Sequence, residues 1–297
     1  MIRPARASRC AAPIGRTFLV AAALAAGGSD AVAVPLPGGP PPSDERLHVL
    51  FLGDHGHHDP SARADELYAP LARAGVAMDF TFERADLRPD VLARYDALLI
   101  YANHDEIAPE EEQALLAFVE SGRGLVALHC ASYCFRNSEK YVALVGGQFD
   151  HHSMGPFTAH SIAPDHAALR GVEEFATVDE TYVHRALAAD RTVLQTRDEN
   201  GKPEPYTWVR SQGKGRVYYT ALGHDAKTFT QPAFHEQVIQ AIRWAADRED
   251  FEWAPPKLPT IDVNLPNYRP ELKWGQTAEP IRKLQGPLSP QDELCLF

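Results

Sequence analysis

Between Leu47 and Ala246 the chain alternates short apolar runs with stretches of helical period. Leu47 to Gly53 predicts a buried strand, Ser61 to Ala74 an amphipathic helix, and Ala77 to Phe82 a second strand. Asp96 to Ala102 is a third strand, and Pro109 to Ser121 a helix with proline at its start and Gly122 past its end. Leu125 to Leu128 is a fourth, wholly apolar strand. Runs this short, separated by helices, predict an α/β fold whose mostly parallel sheet is covered on both faces.

After about residue 150 the pattern loosens. Phe157 to Ile162 and Thr192 to Thr196 read as strands, and Ala233 to Ala246 as a closing helix with Trp244 on its apolar side. Tyr206 to Arg210 and Arg216 to Leu222 flank Ser-Gln-Gly-Lys-Gly, which predicts a hairpin. Gly213-Lys214-Gly215 therefore joins two strands and opens no helix, so it is not a phosphate cradle.

The two ends follow other rules. Arg3, Arg6, Arg9 and Arg16 precede an apolar run from Phe18 to Ala26 and the small-residue site Ala31-Val32-Ala33. That order predicts a secretory signal peptide over residues 1–33, hence an exported protein, periplasmic or extracellular. No stretch reaches the roughly 18 apolar residues a membrane span needs. Residues 34–45 form a Pro/Gly linker, 46–248 a single α/β domain, and 249–297 a Pro-rich tail.

Charge narrows the partners. The net charge is −11, and removing residues 1–33 leaves about −14, because four arginines and Asp30 go with them. With no basic stripe, nucleic acid is excluded as a partner. Cys130, Cys134 and Cys295 remain after Cys10 is removed, and three cysteines make no disulfide scaffold. Cys130 and Cys134 are open to two readings, a bridge or two small buried residues.

The informative residue is histidine, with 13 in 297 positions. The first strand is followed at once by Asp54-His55-Gly56-His57-His58-Asp59, the third by Asn103-His104-Asp105, and the fourth by His129-Cys130. The hairpin's second strand runs into Gly223-His224-Asp225. In an open parallel sheet, ligands bind beyond the carboxyl ends of the strands, so these loops predict one shared site. Adjacent side chains diverge in His57-His58 and His151-His152, so one of each pair faces it. His48, His160, His166 and His235 read as structural, His166 as a turn residue capping a backbone group.

Two chemistries use such a cluster. One is a divalent metal such as zinc, held by His57, His129 and His224. The other is metal-free acid–base work, in which carboxylates tune the imidazoles. Asp54, Asp105, Glu180 and Asp225 are the candidate carboxylates, and Asp179-Glu180-Thr181-Tyr182-Val183-His184 adds a phenol and another imidazole. Cys130 stands where an amidotransferase nucleophile would, but the G-x-C-x-G turn and a downstream His-x-Glu pair are missing.

Several segments together resemble the ThuA-like family, named for trehalose utilisation: Leu52 to His58, Gly124 to Ser132, Gly146-Gly147-Gln148-Phe149 and His152. The agreement continues in order through Asp165-His166, Asp179 to Tyr182, Gly213 to Val217 and Leu222 to Asp225, covering roughly residues 46–247. The resemblance implies a flavodoxin-like, three-layer α/β sandwich related to class I glutamine amidotransferases. It also implies sugar catabolism with links to keto derivatives of disaccharides. Carried over, it marks His57, His129, His152, Glu180, Tyr182, His224 and Asp225 as site residues; with the strand-end reading, His129, His224, Asp225, Glu180 and Tyr182 are the catalytic candidates, and His57, His104, His152, His184 and Asn103 are candidates to contact a carbohydrate. Arg123 interrupts the family's glycine run, and His151 doubles its single histidine. The tail segment Pro287 to Leu294 resembles one that leads into a sugar dehydrogenase or haem-binding module, which implies a partner of that kind.

In the mechanism these residues suggest, Asp225 orients His224 while Glu180 and Tyr182 handle a proton or a sugar hydroxyl. The alternative is a non-catalytic carbohydrate-binding module partnered with a sugar dehydrogenase, with Trp208 and Trp253 as its aromatic platforms.

Overall fold

The computed structural model describes residues 45–254. The signal peptide, nearly all of the linker, and the tail beyond residue 254 lie outside the described residues. Four apolar segments form the first strands: β1 (Leu47–Leu52), β2 (Val76–Thr81), β3 (Ala97–Ile100) and β4 (Gly124–Leu128). β3 and β4 have every side chain buried, as expected of strands covered on both faces. The later strands are β5 (Gln148–His151), β6 (Met154–Thr158), β7 (His160–Ser161), β8 (Ala176–Glu180) and β9 (Val183–Arg185). β10 (Thr192–Glu199), β11 (Lys202–Gln212) and β12 (Gly215–Thr220) complete the set.

Eight of these make one sheet in the order β2-β1-β3-β4-β12-β11-β10-β7. β2, β1, β3, β4 and β12 run parallel, while β11, β10 and β7 are antiparallel. The β11–β12 hairpin turns through Gly213 and Lys214, and Gly213 takes the positive φ of 59° that such a turn needs. Because β12 returns parallel to β4, its end joins the carboxyl edge already formed by β1, β3 and β4.

The helices are α1 (Pro60–Arg73), α2 (Pro89–Leu92), α3 (Pro109–Glu120), α4 (Glu139–Val145), α5 (Ala226–Phe229) and α6 (Pro232–Ala245). Prolines at the first turns of α1, α3 and α6 cost no hydrogen bond there, and the Glu111 carboxylate accepts the Ala108 N–H at 2.9 Å to cap α3. α1, α5 and α6 pack together on one side of the sheet, and α2, α3 and α4 on the other. The result is the three-layer α/β sandwich with a mostly parallel sheet that the pattern predicts.

One expectation differs from the structure. Phe157 to Ile162 is not one strand: β6 pairs with β8 in a separate ribbon, whereas β7 joins β10 at the edge of the main sheet. Asp179 and Glu180 end β8. The first residues of the tail do lie on the domain, with Phe251 buried and the Trp253 ring packed against Gly75. Among the described residues no helix is long and apolar enough to cross a membrane.

Candidate metal centre

Each loop at the carboxyl edge delivers its side chain by a different local device. After β4 the chain turns sharply through His129, a non-glycine residue at a left-handed φ of 45°, into a single 3-10 turn. Such strained backbone at a strand end exposes a side chain above the sheet. Here it turns an imidazole toward the carboxyl edge, and both His129 and the next residue, Cys130, are fully buried.

After β12 the device is Gly223, at φ 121°, where a Cβ would also meet the Phe229 ring at 2.9 Å. The turn is held by Asp179, a fully buried carboxylate that accepts from Gly223 N (2.9 Å), His224 N (3.0 Å), Glu180 N (2.7 Å) and the Thr228 hydroxyl. The Tyr101 hydroxyl adds a hydrogen bond to Gly223 O at 2.7 Å. On the other side, the Asp54 carboxylate accepts the backbone N–H groups of Gly56 and Asn103, tying the β1 loop to the β3 loop.

These devices gather four side chains. His58, His129, Glu180 and His224 each offer one ligand atom, and the four atoms lie within 4.8 Å of one another. His129 Nε2 is 3.2 Å from Glu180 Oε2, and His224 Nδ1 is 3.2 Å from Glu180 Oε1. The three rings approach edge to face, with centroids at 5.0 Å (His58 to His129), 5.3 Å (His58 to His224) and 5.7 Å (His129 to His224). Despite this proximity, His58 Nε2, His129 Nε2 and His224 Nδ1 are buried without a hydrogen-bond partner.

The outward-facing nitrogens of His129 and His58 are engaged. His129 Nδ1 meets the Ala221 carbonyl at 2.7 Å, an acceptor, so the ring proton sits on Nδ1 and Nε2 presents its lone pair inward. His58 Nδ1 lies 3.1 Å from the Asn103 amide. Tyr182 lays its ring over His129 at 4.2 Å and is itself backed by Phe149.

Electrostatics follow from this packing. Burial, together with the neighbouring imidazoles, pushes His58 down to about 2. Burial also raises Glu180, but the His129 and His224 rings outweigh it and hold the carboxyl well below its ordinary value. Contact with that carboxylate raises His224, against the effect of burial. Burial pushes the Tyr182 phenol and the Cys130 thiol up, so both stay protonated.

Several predicted residues sit elsewhere than expected. His57 is exposed and stacks on His58 at 4.0 Å; the first loop sends His58 into the cluster, because Asp59 caps α1 and aligns the residue before it with the site. The Asp225 carboxylate does not orient His224: it caps α5 by accepting Lys227 N at 2.8 Å, and Asp179 does the holding. His184 is buried behind the site, bonded to the Tyr219 hydroxyl at 3.0 Å, which in turn donates to His129 O. His104 bonds Gly53 O at 3.0 Å and lies parallel to Phe135. His152 stays at the rim, exposed, with Nε2 3.6 Å from Glu180 Oε1. Asp105 pairs with Arg136 at the surface.

Three structural expectations are met. His166 accepts Ala168 N at 3.2 Å as a turn cap, His160 pairs with Glu174 on an exposed strand, and His235 lies on α6. Cys130 and Cys134 are buried free thiols, which removes both the bridge and the nucleophile. Trp208 is fully buried with Nε1 donating to Val145 O at 2.8 Å, so it is no sugar platform, while Trp253 packs on Gly75 at the amino edge of the sheet. A cavity of about 800 Å³ at the opposite, amino edge of the sheet, lined by Asp96, Arg123 and Trp253 among others, contains none of the four clustered groups.

Comparison with known proteins agrees with the architecture. A ThuA-like protein of Parabacteroides merdae superimposes with a TM-score of 0.63 at 18% identity, covering 73% of this chain and 95% of its own. One from Bacteroides uniformis gives 0.59 at 19%, covering 70% and 95%. A cold-adapted β-galactosidase of Rahnella sp. R3 gives 0.50 at 17%, covering 67% of this chain but 31% of its own. At these identities the likeness is one of fold. No curated protein sequence matches the chain. The family profile described as trehalose utilisation matches residues 48–245, which takes in every strand and loop that builds the cluster, and the chain therefore belongs to the ThuA family.

Proposed function

We propose that the protein is an exported carbohydrate-processing enzyme acting on keto-glycosides or disaccharides, with one divalent ion such as zinc held by His58, His129, Glu180 and His224. The observation that carries this reading is the trio of buried imidazole nitrogens facing one carboxylate without hydrogen bonds. Each unpaired buried polar atom costs about 1–3 kcal/mol, and a single cation would satisfy all three. The donor set suits the ion: neutral imidazoles with one carboxylate are ligands for zinc. The spacing suits it too. Ligands about 2.0 Å from a tetrahedral zinc stand about 3.3 Å apart; each Glu180 oxygen is 3.2 Å from one imidazole nitrogen, and the four candidate ligand atoms lie within 4.8 Å of one another.

Such an ion supplies Lewis-acid polarisation of a carbonyl oxygen or a water of lowered pKa. The remaining work falls to side chains. A keto group makes the neighbouring C–H acidic, and His152, exposed at the rim, is placed to accept that proton. The electron pair then forms a carbon–carbon double bond as the glycosidic C–O bond breaks, and the leaving aglycone oxygen takes the proton back from the His152 imidazolium. Tyr182, its phenol protonated and its ring over His129, closes that side to water. The carbohydrate substrate class rests on the family, and export rests on residues 1–33 alone.

The alternative, a non-catalytic carbohydrate-binding module partnered with a sugar dehydrogenase, has less support: Trp208 is committed to packing, and Trp253 lies at the amino edge, away from the clustered imidazoles. The test is turnover of 3-keto-glycosides and disaccharides by protein purified without a histidine tag, with and without added zinc. Metal-dependent release of the aglycone is expected. A protein inert on both substrate classes under both conditions contradicts the reading.

A further inference from the structure

We infer that the half-buried rings of Phe149 and Tyr133, with the cleft that opens beyond them, form a subsite for a second, neutral sugar ring of the substrate. The inference rests on the carbohydrate reading above and assigns the part of the ligand beyond the reacting ring. The sequence offers tryptophans as aromatic platforms, but the half-buried rings that lead away from the cluster are these two. Phe149 packs against Tyr182 at 4.5 Å and lies 5.8 Å from His152, the proposed base. Tyr133 meets Phe149 edge to face at 5.5 Å, and the Arg136 guanidinium sits over the Tyr133 ring at 4.3 Å. A wall of rings ending in a guanidinium therefore runs outward from the base. The C–H face of a sugar ring is apolar and stacks on such a wall, while its hydroxyls turn to polar groups at the rim.

Beyond the wall lies a cavity of about 640 Å³ between α4 and the β5–β9 ribbon, lined by Arg136, Glu139, Val142, Gln148, Arg185 and Ala186 among others. Gln148 and Phe149 are neighbours on β5, so their side chains take opposite faces of the ribbon, and one strand serves both the cleft and the wall. The lining mixes planar hydrogen-bonding groups with small apolar side chains, which suits a polyhydroxylated ligand. Its two arginines are already compensated: Arg136 pairs with Asp105, while Arg185 Nε bonds Gln148 Oε1 at 3.1 Å and lies 3.9 Å from Asp150. An anionic ligand would have to displace those carboxylates, whereas hydroxyls can accept from the further N–H groups of each five-donor guanidinium. Both arginines also adjoin strained backbone. Phe135, before Arg136, has a φ of 53°, and Ala186, after Arg185, a φ of 50°. Non-glycine residues adopt this conformation rarely, and such outliers gather at ligand sites.

The test is calorimetric affinity for 3-keto-trehalose and for methyl 3-keto-α-glucoside, measured in chelator, which suppresses turnover and makes the result independent of the ion. The two probes share the reacting ring and differ in the second. The parent is expected to favour the two-ring probe by at least about tenfold. Tyr133→Ala and, separately, Arg136→Ala are expected to cut that preference by about 3–10-fold, the worth of one such contact, and to change the one-ring probe less than about twofold. Tyr133→Phe keeps the ring and is expected to keep the preference. Arg136 is an exposed side chain, so its variant does not put folding at risk. An unchanged preference in both alanine variants, a Tyr133→Phe that behaves like Tyr133→Ala, or a parent with no preference overturns the inference and leaves the carbohydrate reading standing. A parent that binds neither probe overturns both.

Discussion

His58 and His57 are neighbours with opposite fates, and the difference is decided by one cap. Asp59 accepts the Ala62 N–H at the start of α1, so the residue before it points along the sheet edge into the cluster while His57 stays outside. Exchanging His57 for alanine is therefore expected to change zinc affinity less than about twofold, since only a ring stack is lost. His129→Ala or Glu180→Gln removes a proposed ligand and is expected to cost more than the 10–100-fold of an outer partner. Chelator competition measures both, and a His57→Ala loss as large as that of His129→Ala contradicts the assignment. The sequence shows that a histidine pair follows β1, but not which member turns inward, because that depends on cap geometry. Asp225 was misplaced for a related reason: beside a histidine, an aspartate reads as its orienting partner, whereas this one caps a helix.

Protonation gives a second residue-scale prediction. Burial lowers His58, His104, His166, His184 and His235 from their ordinary value of 6.5. A histidine lowered by folding binds fewer protons folded than unfolded, so its contribution is complete above about pH 6.5 and is lost as pH falls. Glu180, lowered by its imidazole neighbours, acts in the same sense at lower pH. His224 is raised, so its contribution is complete below 6.5 and lost as pH rises. The lowered groups outnumber it, and the urea midpoint of metal-free protein is expected to fall between pH 7 and pH 5. A midpoint that rises over that interval contradicts this balance.

At the scale of elements, the carboxyl edge works because β12 returns parallel to β4 and carries its turn to the same side as the loops of β1, β3 and β4. Asp179 on β8 holds that turn through three donors, Gly223 N, His224 N and the Thr228 hydroxyl. Asp179→Ala strips partners from several buried groups and is expected to destabilise by at least about 3 kcal/mol. Urea unfolding measures it, and a loss under about 1 kcal/mol would mean that the turn holds itself. The long apolar strands and capped helices were legible, since burial on both faces writes a continuous apolar run. The short ribbons β5–β9 and β6–β8 were not. Their pairings are non-local and their residues polar or half-exposed, so no period survives over three to five positions. Glu180, the carboxylate of the cluster, sits at the end of such a ribbon. Its chemistry was visible in the sequence, but its strand was not.

For the whole molecule, strands of an ordinary three-layer sheet bring residues 58, 129, 180 and 224 together across most of the domain. An ion bound there links segments that are far apart in the chain and binds the folded form alone, so it stabilises the whole by mass action. At a hundredfold excess over its Kd, zinc is expected to add about 2.7 kcal/mol. The unfolding temperature of Glu180→Gln is expected not to respond. The most direct test is equilibrium dialysis of untagged protein against zinc, counting ions per chain in the parent and in His129→Ala. One zinc per chain in the parent and essentially none in the variant is the predicted result; a parent without zinc, or a variant that keeps it, would contradict the account.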